Sequence, residues 1–131
     1  MKTITQKMKL LAALMLLTLG GGTLSAQLSG LYTINGSVAT GGTNYQTFTD
    51  FANDINANGV NGPVTVNVSN GPFNEQVKFN DINGASANNR IVINGNGNLI
   101  SYNSTSGQPW IVALDGTDYM TINELQVLGL N

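Results

Sequence analysis

The chain has 131 residues, 41% of them hydrophobic and only 9% charged, with five basic and seven acidic side chains and neither cysteine nor histidine. That inventory excludes a disulfide-stapled scaffold and the usual Cys/His metal and thiolate sites, and it offers nucleic acid no basic footprint to displace counterions. Asn, Gly, Thr and Ser dominate the remainder, but regular Val/Ile pairs interrupt them, which sets the chain apart from a disordered low-complexity tract.

Residues 1–26 read as a secretory signal peptide. Lys2, Lys7 and Lys9 supply a positive start, and the leucine-rich run from Leu10 to Leu19 spans ten residues, about half of the ~20 that a membrane-crossing helix needs. Gly20 to Gly22 then weaken a helix, and small Ala26 precedes the expected cut before Gln27. Cleavage leaves 105 residues, one small domain, with Lys78 and Arg90 against seven acidic side chains, a net charge of −5 and no membrane span.

Residues 27–63 are predicted to form an N-terminal strand and a capping helix. The helix is "TFTDFANDINANG", Thr47 to Gly59: Thr47 is the N-cap, Asp50 completes an Asp version of the capping box, Phe48, Phe51, Ala52 and Ile55 share one face, and Gly59 is the C-terminal cap. From residue 64 to 131 the pattern changes to short strands between Asn/Gly turns: "VTVNV", "QVKF", "RIVIN", "LISY", "WIVAL", "YMTIN" and "LQVL".

Three of these strands share the pattern apolar, x, apolar, Asn. Val64 to Asn67, Ile91 to Asn94 and Met120 to Asn123 are offset by 27 and then 29 residues, and each is followed by a second alternating strand. Such a period suits a parallel coil whose successive turns stack at ~4.8 Å with the same side chains inward. The predicted fold is therefore all-β, a right-handed parallel β-helix comprising the cap helix and the first two to three rungs; a small β-sandwich is the alternative. Val64/Val66, Ile91/Ile93 and Met120/Ile122 form the inward column, with Val77/Phe79, Leu99 or Ile100, and Leu125/Val127 on the next side. Phe48, Phe51 and Ile55 are expected to pack on the first rung.

The segments "GLYTINGS", "NYQTFTDFANDINANGVNGPVTVNV", "GPFNEQVKF", "GASANNRIVINGNG" and "DYMTINELQVLGL" together resemble the N-terminal part of right-handed parallel β-helix proteins of the pectate-lyase-like superfamily. The likeness covers nearly all of Gln27 to Asn131 and points towards large secreted proteins that Gram-negative bacteria carry on the cell surface. It implies a coil that continues for further turns, so that this chain is an incomplete solenoid. In the pectin-esterase branch a segment like "GPFNEQV" is structural and the catalytic groups lie on later rungs. The resemblance thus implies a non-catalytic start of a surface protein for adhesion or polysaccharide contact, or else the non-catalytic beginning of a polysaccharide lyase or esterase.

Asn67, Asn94 and Asn123 fall at one stacked position and read as a structural asparagine ladder. Thr65, Val92 and Thr121 face outward with Arg90 and Tyr119 beside them. This is the face on which the superfamily lays a polysaccharide; Thr65, Arg90, Tyr119 and Thr121 are the candidate sugar contacts, with Tyr102 and Trp110 as further aromatics. Asp115 and Asp118 in "DGTD" are a thin case for a shared calcium ion, and Glu75 is expected to pair with Arg90 across two rungs. No catalytic residue, cofactor or metal is expected. Strands at the C-terminal end, with Met120, Ile122, Leu125 and Val127 uncovered, are expected to favour self-association.

Overall fold

The computed structural model describes residues 26–130; the signal-peptide reading, apart from its last residue Ala26, lies outside them. Along the chain the elements are β1 (Leu28–Asn35), β2 (Asn44–Tyr45), α1 (Phe48–Asn58), β3 (Val60–Ser69), β4 (Phe73–Asn74), β5 (Val77–Phe79), β6 (Ile91–Asn94), β7 (Leu99–Tyr102), β8 (Val112–Leu114), β9 (Met120–Asn123) and β10 (Gln126–Gly129). They make three sheets, in the orders β2-β1-β3-β6-β9, β10-β7-β4 and β5-β8. Every pairing between these strands is parallel, which removes the antiparallel sandwich as an alternative. From β3 onward the chain visits the first, second and third sheets in turn and then repeats that order.

The register of the first sheet follows the 27- and 29-residue offsets of the sequence. Val64, Val66 and Asn67 of β3 pair with Ile91, Ile93 and Asn94 of β6, which pair in turn with Met120, Ile122 and Asn123 of β9. A slip of one residue would turn each of these apolar side chains to the outer face, so the alternating pattern itself fixes the register. Val64, Val66, Ile91 and Ile93 are fully buried, while Met120 and Ile122 are partly buried against the same core. The second sheet aligns Phe73, Ile100 and Val127, and the third aligns Val77 with Val112 and Phe79 with Leu114. Of the two neighbours in β7, Ile100 is the fully buried one. Successive passes approach so closely that a Cβ added to Gly95 would lie 2.6 Å from Leu125 Cα, which is why a residue without a side chain stands there.

Of the first pass, β3 to β5, the helix meets β4 and β5 rather than β3. The first sheet already continues past β3 into β1, whose buried Leu28 and Ile34 pair with buried Val60 and Val68. What remains uncovered is the start of the other two sheets, and α1 packs there: Phe48 meets Phe73 edge-on at 5.1 Å between ring centroids, and Phe51 meets Phe79 at 6.0 Å. Ile55 and Ala52 are buried on the same face. Asn56 also acts as a substitute strand, donating from Nδ2 to Lys78 O at 3.0 Å and accepting from Asn80 N at 3.0 Å, so the edge of β5 is bonded rather than bare.

The helix start also differs from the capping box expected. Thr47 accepts from Asp50 N at 3.0 Å, but the Asp50 carboxylate takes the hydroxyl of Thr40 instead of reaching back. The remaining amides are met from β4's end of the molecule: Glu75 Oε1 accepts from Phe48 N and Glu75 Oε2 from Thr49 N, both at 2.9 Å. At the other end Gly59, with φ of 70°, donates to Ile55 O at 2.9 Å. Tyr45, edge-on to Phe51, donates its hydroxyl to Asp54; burial, and then the bond to Asp54 and its negative charge, push that phenol well above the usual tyrosine range.

Truncating Phe51, which is fully buried, opens a cavity between helix and strands that costs about 3–5 kcal/mol. Urea unfolding of Phe51→Ala should show that loss, while exposed Asn53→Ala should stay within about 0.5 kcal/mol of the parent; equal midpoints for the two would show that α1 is not packed on β5.

Candidate functional site

The outward face of the first sheet gathers the four candidate contact residues. Parallel register stacks Thr65, Val92 and Thr121 across β3, β6 and β9. Arg90 and Tyr119 occupy matching positions just before β6 and β9, since Arg90 O accepts from Val64 N at 2.9 Å and Tyr119 O accepts from Ile91 N at 3.0 Å. The Arg90 guanidinium carbon lies 6.0 Å from the Tyr119 ring centroid, at the outer limit of a cation–π contact. Tyr119 is 46% exposed and sits at φ of 55°, a left-handed conformation uncommon for a bulky residue. Thr121 is exposed, and Thr65 and Val92 are half-buried.

At the far end of the same strands runs the asparagine column. Asn94 Nδ2 donates to Asn67 Oδ1 at 3.1 Å, and Asn123 Nδ2 donates to Asn94 Oδ1 at 3.2 Å. The column is therefore directional, each amide donating to the pass before it. A second set of asparagines, not singled out in the sequence, works at the adjoining corner: Asn98 accepts from Gly71 N at 2.9 Å and donates to Val68 O at 3.1 Å and Gly95 O at 2.8 Å. These amides satisfy turn backbone groups that lack a ladder partner.

The pairing of Glu75 with Arg90 expected from the sequence does not form. Glu75 is held by the helix amides and does not reach Arg90, because the N-terminus of a helix offers a carboxylate several converging donors. Tyr102 ends β7 in the second sheet, and Trp110 precedes β8 beside the helix, so neither joins the face of Thr65 and Tyr119. Asp115 is paired with Lys78 Nζ at 2.6 Å. Among the described residues no group of three or more His, Cys, Asp or Glu side chains comes together, and no helix is long and apolar enough to cross a membrane.

No protein-family model, curated protein or solved structure matches the chain.

Asn94 is the middle member of its column and takes part in both cross-strand bonds, whereas Asn123 takes part in one and is exposed. Asn94→Ala should lower the unfolding free energy by about 1–2 kcal/mol and Asn123→Ala by less than about 1 kcal/mol. Equal and negligible losses in chemical denaturation would show that the column contributes nothing to stability.

Proposed function

We propose that the chain is an exported, non-catalytic module, built as a right-handed parallel β-helix capped by α1, that contacts a polysaccharide at a bacterial cell surface. The observation that carries this reading is the outward face of the first sheet, where Thr65, Thr121, Arg90 and Tyr119 stand in parallel register. Parallel strands lie ~4.8 Å apart, so the face sets the hydroxyls of Thr65 and Thr121 on either side of Val92, beside an aromatic ring and a guanidinium. A sugar chain presents the complementary surface: hydroxyls that both donate and accept, and flat C–H faces that pack on a ring. The ordered return of the chain to three parallel sheets supports the coil, and its hand follows the strong preference of parallel crossovers. Export rests on the charge and apolar pattern of residues 1–26.

Affinity electrophoresis through gels containing neutral and acidic polysaccharides tests the contact, using protein secreted by a Gram-negative host and expected to begin at Gln27. Retardation by at least one polysaccharide is expected, with Tyr119→Ala or Arg90→Ala weakening it about tenfold, the loss of roughly 1–1.5 kcal/mol for a stacked aromatic contact. Mobility unchanged in every gel would end the polysaccharide reading, and a product that keeps Met1 would end the export reading.

The reading also includes self-association at the edges of β9 and β10. Both are outermost strands of their sheets, and Val127, in register with buried Ile100, is 54% exposed. Unpaired backbone groups beside exposed apolar side chains template strand addition. Sedimentation should therefore show concentration-dependent association that Val127→Lys shifts towards monomer; a monomer indifferent to that charge would remove these edges as an interface.

A further inference from the structure

The outward side chains of β5 border the polar side of α1. Val77 and Phe79 point inward, so Gln76, Lys78 and Asn80 alternate outward, and they meet the polar side of α1 at Asn53 and Asn56. Between helix and strand lies a groove of about 300 Å³, with Trp110 in its wall. That volume is at the lower end of the range of small-ligand sites.

The groove's frame is fixed by bonds to the protein's own backbone. Asn56 bridges Lys78 O and Asn80 N, each at 3.0 Å. Gln76 Nε2 donates to Gln108 O at 3.2 Å and also to Trp110 O, which ties the segment carrying the indole to the start of β5. Lys78, the one cation in the wall, is compensated by Asp115 at 2.6 Å. Asn53 and Asn80 are exposed, and among the described residues neither side-chain amide bonds to another protein group. The free recognition chemistry is thus two amides and an indole, held on a rigid frame with its charge balanced.

We infer that this groove binds a neutral oligosaccharide. An apolar ligand would leave the amides unpaired, and an anion would find only a lysine that an aspartate already holds. A pyranose ring satisfies the whole set, with a flat C–H face for the indole and hydroxyls that donate to and accept from Asn53 and Asn80. The inference rests on the saccharide-contact reading but places a second, separate contact beside the third sheet, away from Tyr119 on the first.

Trp110 is the only tryptophan of the chain, so emission excited at the red edge of the indole band, where the tyrosines do not absorb, reports on this groove. The full chain is titrated with cellohexaose, xylohexaose and mannohexaose to millimolar concentration, with an oligogalacturonate as the charged comparison. A saturable change is expected with at least one neutral hexaose and not with the oligogalacturonate, and Asn53→Ala combined with Asn80→Ala should weaken it about tenfold, as the loss of two hydrogen bonds implies. Both positions are exposed, so the double variant should keep the parent's melting temperature and circular dichroism. Emission unmoved by all three neutral hexaoses, or moved equally in the double variant, would overturn the inference. Tyr119→Ala should leave the emission titration intact; loss of gel retardation in that variant with a normal titration, or the reverse, identifies which of the two contacts has failed.

Discussion

Glu75 is where the helix and the stacked strands become one structure. A parallel sheet ends on a row of backbone groups with no next strand, and a helix begins with amides that have no partner in its own first turn. Here each defect answers the other. The Glu75 carboxylate, 27 residues beyond the helix's first residue, takes two helix amides and the hydroxyl of Thr49, while Asn56 of the helix takes the carbonyl and amide that flank the end of β5. Between these two attachments lie the aromatic pairs Phe48/Phe73 and Phe51/Phe79. The direction of the helix is thereby fixed at both ends and along its buried face, and the core begins from a closed start.

The repeat of the first sheet was legible because it is written in local composition. An apolar, x, apolar, Asn pattern recurring at 27 and 29 residues carries its own register, since only one alignment keeps Val64, Ile91 and Met120 on the same side. The greasy face of α1 was legible for the same reason, at a period of 3.6 rather than 2. Glu75 was not. Its partners lie 26 and 27 residues away and its immediate neighbours give no sign of a cap, so a carboxylate beside a basic residue one rung on looked like an ion pair. β4, of two residues, is too short to show a period, and β1 reveals its place in the first sheet only through a long-range pairing with β3.

Burial falls along the successive passes. The inward residues of β3 and β6 are fully buried, those of β9 are partly exposed, and every residue of β10 is exposed. In a stack where each pass touches only its neighbours, stability accumulates from the interfaces on either side. β6 has one on each side and β9 has one, so local opening should favour β9 and β10 over β3 and β6. The asparagine column follows the same gradient, with Asn67 and Asn94 half-buried and Asn123 exposed. The amide bond nearest the core is therefore the better shielded from competing water.

Low charge shapes what the surface can recognise. Among the described residues only Lys78 and Arg90 are basic, and each lies close to a group that tempers it: Lys78 beside Asp115, and Arg90 over the ring of Tyr119. Long-range steering of an anion is consequently weak, and selectivity must arise from short-range geometry in amides, hydroxyls and rings. Parallel strands suit that requirement, because their outward side chains are spaced by the backbone ladder and do not depend on loop conformation for their order. The outward face of the first sheet and the helix-bounded groove draw on the same vocabulary in different shapes, one an open strand face and the other an open groove. On the proposed saccharide reading, a chain lying along the strand face gains from repeated contacts, whereas a single ring set against Trp110 gains from an aromatic wall, so the two surfaces would take different parts of one kind of ligand.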